Sequence, residues 1–523
     1  MLKRVRNLWR GETDATLFDL AAARRLAAGY GPVGGATGDR AGRAYELRPD
    51  VRAAFPLGLT PHPQRGELLG WLLTYGRADF GLTPAECVAH LADLDATPDR
   101  GLERSYRLQP DWQRAVARAL TPAGWPAFKQ FLAETYGLRG RWFDRATLAP
   151  QPAATGPGLN VLAHLRYPSG LQQAAATLAA AAERAGLAVS RRDLPVAVPD
   201  DWDGRTPTLG LEPFPVSVWV TAVNTFPAAF LPIAGLHPRA GVKRAAVWYW
   251  ELDALPADWR AHLDWPDEVW APTTFLADTF RRHTSKPVEL LLPGVEVPAF
   301  APLPRSHFGL PADRFLVLFS FDMLSVMARK NPLAVVAAFR QAFRADDRVH
   351  LCIKVSRSDA DSAALDELRA ACDTVGATLL DRLLPRAEVT ALLASADCYA
   401  SLHRSEGFGL GLAESLLLGK PVVATGYSGN LDFMDDAGSF LVSHTLVDVA
   451  ATGGAVANPY RGGRWAEPDI GHAAELLRRV FADRDGTAEV ARRGQARARE
   501  LLGMGAYAKR LAERVNRLGE RLA

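Results

Sequence analysis

Two glutamates eight residues apart, Glu406 and Glu414, bracket glycines at 407, 409 and 411 in SLHRSEGFGLGLAESLLLGKPVVATGYSGNLDF, residues 401–433. Glycine carries no Cβ, so a backbone made of it can approach a ligand closely. The strand-like CYASLH leads into this loop, and the helical pattern LAESLLLG follows it. In open α/β sheets ligands gather at the carboxyl ends of strands. The unpaired amides and positive dipole end of a helix start suit an anion, and a diphosphate fits the space. The amides of Gly407, Phe408, Gly409 and Leu410 are therefore candidate phosphate donors. Glu414, expected in the first helical turn, is a candidate acceptor for ribose hydroxyls. Glu406 would face the same pocket from the other side. The plain alternative is a glycine turn followed by an acid that complements the helix dipole.

Lysine is scarce beside arginine, so each lysine carries information. MARKNP sets Arg329 and Lys330 at a helix start just beyond one strand, and Lys354 closes the next strand, VHLCIKV. Cations placed there would stabilise a departing diphosphate more in the transition state than in the ground state. A solvated helix-start charge and a strand-end surface residue are the ordinary alternatives for Arg329 and Lys354. In LRYPSGLQQAA, Ser169 and Gly170 mark a strand-to-helix turn that either brings an amide to a phosphate or is a plain capped turn. Glu251 in YWELD lies at a strand end. It could orient or deprotonate an acceptor hydroxyl, or serve as the helix-start acid for PADWRAHL. His403, just before the loop, could contact phosphate or sugar, although a lone histidine near a strand end is more often structural. Asp359 and Asp361 form an Asp-x-Asp, but they directly precede a helical pattern, where Asp is the favoured N-cap.

These residues need a scaffold. Residues 1–145 read as an all-helical domain, from ATLFDLAAARRLAAG, GELLGWLLTYGRADF and PAECVAHLADL. The glycine-rich GYGPVGGATGDRAG follows a helix rather than a strand and reads as a linker, as does RATLAPQPAATGPG. From residue 158 short apolar runs alternate with helical segments: LNVLAHL, VSVWVTAV, RAAVWYW, DEVWAPT and VELLLPG. A proline-rich hinge near 300 precedes a second series, RFLVLFSF, VHLCIKV, TLLDRLL, DCYASLH and KPVVATGY. Continuous apolar strands suit parallel sheets covered on both faces. The expected fold class is α/β, with two Rossmann-like doubly wound domains (158–300 and 301–490) facing across a cleft and a helical tail over 491–523.

The Glu–Gly–Glu stretch resembles the E-x7-E signature of retaining glycosyltransferases of the GT-B fold, family 4 in particular. The similarity continues through LLLGKPVVATGYSGNLDFM and RWAEPD, and backward through MARKNPLAVVAAF and VWYWELDALPADW, over about residues 158 to 500. It implies a nucleotide-sugar donor and a glycan, lipid-linked or protein acceptor. It also implies Glu414 on the ribose, Glu406 on the donor sugar and Lys330, Arg329 and Lys354 on the leaving group. Such enzymes neutralise diphosphate with cations and helix dipoles, so no metal or other cofactor is implied. One departure is Phe321-Asp322, where relatives carry a phosphate-binding arginine. A non-catalytic GT-B partner subunit and a GT-B sugar-nucleotide epimerase are the competing functions. No G-x-G-x-x-G follows a strand, which disfavours a nicotinamide dehydrogenase.

The whole chain agrees. At 523 residues, 48% hydrophobic and 23% charged, it can build more than one core, and its net charge of +3 implies no general attraction to nucleic acid. The four cysteines lack paired spacing and read as reduced thiols of a cytoplasmic protein. The N-terminus has no apolar stretch of signal-peptide type, and no apolar run is long enough to span a membrane. Leu2, Val5, Leu8 and Trp9 form a short amphipathic run. Peripheral membrane contact or homo-oligomer contact through the helical domain is one expectation; packing on its own domain is the other.

Overall fold

The computed structural model describes residues 40–60, 62, 64–76, 80–96, 98–121, 123–137, 157–165, 169–194, 214–222, 242–358, 361–449, 460 and 462–520. The amphipathic run at residues 2–9, the helix expected over 15–29, most of the glycine-rich segment after it, and nearly all of the linker 145–158 lie outside them. The chain divides into two compact units, residues 1–176 with 187–243 and 522–523, and residues 177–186 with 244–521.

In the first unit, helices α1 (Arg40–Leu47), α2 (Pro49–Ala54), α3 (Gln64–Trp71), α4 (Pro84–Ala96), α5 (Pro98–Leu108), α6 (Pro110–Ala115) and α7 (Trp125–Tyr136) cover the described part of the helical domain. A π-helical turn, Leu72–Gly76, extends α3. Two stretches of this domain repeat each other at a constant offset of 61 residues, pairing Tyr45 with Tyr106, Pro49 with Pro110, Thr60 with Thr121, and Thr74-Tyr75-Gly76 with Thr135-Tyr136-Gly137. The copies fold alike. Arg48 and Gln109, which precede the paired prolines, share φ −112° with ψ 93° and 96°. Tyr45 Oη donates to the Phe55 carbonyl at 2.9 Å and Tyr106 Oη to the Val116 carbonyl at 2.7 Å. Thr60 and Thr121 each bond back to the carbonyl three residues earlier. The pairing of Val51 with Trp112 is one difference between the copies. Trp112 donates to Tyr136 Oη at 2.8 Å, whereas Val51 in its place has no donor, and Tyr75 is 60% exposed.

Two six-stranded sheets follow, with helices packed among the strands. The first has the order β2-β1-β3-β4-β5-β6, formed by β1 (Gly158–Ala163), β2 (Ala188–Asp193), β3 (Val216–Ala222), β4 (Lys243–Tyr249), β5 (Glu268–Ala271) and β6 (Val288–Leu290). Its helices include α8 (Gly170–Arg184) and α9 (Thr274–Arg281). The charged strand β2, AVSRRD, is an addition to the expected set.

The second sheet has the order β12-β11-β10-β7-β8-β9, formed by β7 (Phe315–Asp322), β8 (Val349–Ser356), β9 (Thr378–Asp381), β10 (Cys398–Ser401), β11 (Val422–Thr425) and β12 (Phe440–Val442). Between these strands run α10 (Met327–Lys330), α11 (Pro332–Ala342), α12 (Ser362–Asp373), α13 (Arg386–Ser395) and α14 (Leu410–Leu417). An antiparallel pair, β13 (His444–Asp448) and β14 (Arg464–Pro468), precedes α15 (Ile470–Ala482), α16 (Arg484–Leu502) and α17 (Met504–Glu520). The strands pair in parallel, and runs such as FLVLFSF and HLCIKV are buried almost throughout, as sheets covered on both faces require. The core joins these strands to Val335, Phe339, Leu412 and Leu416 of the covering helices. All four cysteines are free and buried. Among the described residues no helix is long and apolar enough to cross a membrane.

Candidate active site

The order of the second sheet reverses between β7 and β10. The chain leaves β7 toward one edge and returns at β10 toward the other, so the loops after these two strands diverge at a topological switch point, the place where open α/β sheets bind ligands. That switch point is where the candidate residues meet. Beyond β7, Asp322 caps a short turn by accepting the Leu324 amide at 3.0 Å. Val326, at φ +59°, redirects the chain into α10, and Asn331, at φ +53°, ends it. Asn331 Nδ2 then donates to the Leu402 carbonyl at 3.0 Å, and the Arg404 amide donates to the Arg329 carbonyl at 2.8 Å. These bonds fix the two loops against each other.

Glu406 is consequently held between two cations. Lys330 Nζ donates to its Oε1 at 2.5 Å, and Arg329 Nη1 reaches its Oε2 at 3.4 Å and the Ser405 carbonyl at 2.9 Å. Burial pushes the Glu406 carboxyl up, but the charges of Lys330 and then Arg329, with His403 a lesser influence, outweigh burial and hold it down at about 2. Burial lowers Lys330, with Glu406 opposing. Arg329, almost fully buried, is disfavoured as a cation by desolvation, yet Glu251, the Tyr460 phenol and Glu406 raise it above its ordinary value.

Glu251 belongs to this cluster, two residues past the end of β4. Arg329 Nη2 lies 3.6 Å from its Oε1, Tyr460 Oη donates to its Oε2 at 3.0 Å, and Ser405 Oγ donates to its carbonyl. This corrects the reading of Glu251 as a helix-start acid. The next helical turn, Ala257–Asp264, starts six residues later and is preceded by Pro256.

The glycines require a second correction. Each has a reason inside the protein. A Cβ on Gly407 would lie 2.6 Å from the Trp250 carbonyl, and one on Gly411 would lie 2.7 Å from Tyr399 Oη. Gly409 takes φ +94° as the N-cap of α14. Gly429 packs on the loop in turn, its virtual Cβ 2.3 Å from the Gly407 carbonyl. Gly407→Ala should therefore cost about 1–3 kcal/mol as the loop is pushed off Trp250, read from the urea midpoint. An unchanged midpoint would show that the approach is soft. Phe408 turns its ring to Phe433, 5.1 Å between centroids, so its side chain is core. Gly409 offers no capping side chain, so the amides of Leu410, Gly411 and Leu412 have no partner within the helix.

Glu414 is the fifth residue of α14, a turn deeper than expected. Its side chain is 5% exposed and pairs with Arg386 from the start of α13: Nη1 donates to Oε2 at 3.2 Å and Nη2 to Oε1. Burial raises this carboxyl, and Arg386 opposes the rise.

The remaining candidates make contacts of their own. Lys354 is buried on β8, donates to Ser356 Oγ at 3.0 Å, and is lowered by burial; its charged neighbours are Asp322, Arg357 and Asp381. Ser169 caps α8, its Oγ accepting the Gln172 amide at 3.1 Å, and a Cβ on Gly170 would meet open space. His403 is buried and lowered by desolvation. Its Nδ1 accepts from Ser401 Oγ, and its Nε2 donates to Asn430 Oδ1 and the Tyr427 carbonyl. Asp361 caps α12 through the Ala364 amide, and Asp359 lies outside the described residues. No cluster of metal-binding side chains occurs among the described residues. Arg386 and Tyr460 were missed by the sequence reading. Arg386 was detectable as the lone cation after Pro385 at a helix start, but Tyr460 carries no sequence signal.

Residues 315–456 match the family described as Glycosyl transferases group 1, a span that includes β7, both cations and both glutamates. No curated protein matches the chain. Among solved structures, Anabaena Alr3699/HepE in complex with UDP and glucose is similar at 14% identity, covering 69% of this chain and 100% of that one, TM-score 0.50. Sucrose-phosphate synthase from Thermosynechococcus elongatus is similar at 15% identity, covering 70% and 100%, TM-score 0.51. A glycosyltransferase from Rickettsia africae is similar at 10% identity, covering 69% and 99%, TM-score 0.50. Over residues 315–456 the chain is thus similar to the glycosyl transferases group 1 family, on a two-sheet fold of the GT-B type.

Proposed function

We propose that this protein is a retaining glycosyltransferase of the family 4 type, moving a sugar from a nucleotide-sugar to a hydroxyl of a glycan, lipid-linked or protein acceptor. The observation that carries this reading is the meeting of Lys330 and Arg329 of α10, beyond β7, with Glu406 of the loop after β10 at the sheet's switch point, beside the first amides of α14, which have no partner within the helix. The neighbour Alr3699/HepE was solved with UDP-glucose, which supports a donor of that class here.

In this reading the diphosphate rests on the amides following Glu406 and on Lys330 and Arg329. Glu414 accepts from the ribose, and Glu406 from hydroxyls of the donor sugar. The bond from the anomeric carbon to the phosphate oxygen breaks and the bond to the acceptor oxygen forms on the same face. The acceptor proton passes to the departing phosphate oxygen. Lys330 and Arg329 stabilise the charge that develops there. Glu251, tied to Arg329 and Tyr460, stands on the acceptor side. Lys354 lies outside the leaving-group set.

The test is release of UDP or GDP on mixing with a panel of their sugar conjugates, and the anomeric configuration of the product by NMR. Glu414→Ala should raise the donor KM at least tenfold, because a charged hydrogen-bond acceptor is lost from a buried site. An inert panel, or an unchanged KM, would sink the assignment.

A further inference from the structure

We propose that Arg386 is a positioning residue for nucleotide recognition, holding Glu414 as a fixed, ionised acceptor for a vicinal diol. This rests on the donor reading above. The two guanidinium nitrogens engage the two carboxylate oxygens side by side. A bidentate pair of this kind fixes a carboxylate's plane as well as its charge. An ionised carboxylate has about four acceptor positions, and the guanidinium occupies two of them. The remaining two suit the paired O–H donors of a ribose 2′,3′-diol.

The pairing is needed because of where Glu414 sits. Its side chain is 5% exposed on a helix that carries no other charge. Among the described residues, Tyr399 of β10 is a further titratable group near it; its hydroxyl donates to the Ser320 carbonyl at 3.2 Å and is pushed up by burial, so it stays neutral. The neighbouring helix α16 contributes Gln495, which is uncharged and bonds the Leu417 carbonyl at 2.8 Å. Burial raises the Glu414 carboxyl, and Arg386 is the cation that opposes the rise. Without it the acid takes up a proton, turns one acceptor oxygen into a donor, and can no longer receive both hydroxyls.

The experiment measures binding of UDP and GDP, each against its 2′-deoxy analogue, by calorimetry from pH 6 to pH 9. The wild type should prefer the ribonucleotide about tenfold or more, and equally across that range. Arg386→Met should lose the preference at pH 6 and recover it as the pH rises and Glu414 ionises. Arg386→Lys keeps the charge but supplies no fork, so its preference should be reduced and independent of pH. A merely structural arginine would lower affinity for both analogues alike. Arg386→Met keeping the wild-type preference at every pH, or Arg386→Lys matching the wild type, overturns the proposal. Should Arg386→Met fail to fold, the lysine variant decides. A wild-type protein that binds neither nucleotide overturns the donor reading instead.

Discussion

Lys330→Ala is expected to lower kcat/KM for the proposed sugar transfer by about 10³-fold, the scale on which a single preorganised electrostatic contact to a developing anion acts. The lysine sits at the end of α10 with 18% of its side chain exposed, close enough to solvent to meet a ligand and close enough to Glu406 to be aimed by it. A cation held in place before the reaction spends no reorganisation energy when the diphosphate departs. Its removal leaves Glu406 beside Arg329 alone, so some stability is lost as well. The check is steady-state kinetics with the best donor found, alongside far-UV circular dichroism and a urea midpoint to separate folding from catalysis. A variant that folds and turns over within tenfold of the wild type contradicts the role given to Lys330.

Glu406→Ala acts first on stability. It strips the nearest carboxylate from two cations, one of them almost wholly buried, and breaking a buried ion pair from one side costs about 3–5 kcal/mol. Acid titrates the same interaction. The Glu406 carboxyl is depressed from 4.5 to about 2. Its contribution is therefore complete above about pH 4.5 and fades as the pH falls toward 2, amounting to about 3 kcal/mol. Urea unfolding between pH 5 and pH 2.5 should show stability falling more steeply in the wild type than in Glu406→Ala. Equal slopes in the two proteins would mean the carboxylate is not held by Lys330 and Arg329.

Much of the site was readable from local sequence. The strands of the second sheet are runs such as LVLF and LCI, whose continuous apolarity reports burial on both faces. The positions of Arg329, Lys330, Glu406 and the glycines followed from their places just beyond such strands. The charged strand β2 escaped because SRRD has no apolar run to announce it, and pairing with β1 makes it a strand. The repeat in the helical domain lay open in the sequence, yet only the matching Tyr45 and Tyr106 hydrogen bonds give it structural meaning.

The partners were another matter. Glu251 and Tyr460 are 209 residues apart, and Arg386 and Glu414 are 28 apart. Nothing in a window of local pattern ties such residues together. The glycines show the same limit. Their positions were plain, but the carbonyl of Trp250 that excludes a Cβ at Gly407 belongs to a segment more than 150 residues away. Hydrophobic periodicity and turn chemistry act over a few residues, so the sequence by itself determined which elements form and which chemical groups stand at their ends. Charge compensation and close backbone approach act through space, so only the tertiary structure decided which of those groups pair, which are buried, and which remain to meet a ligand.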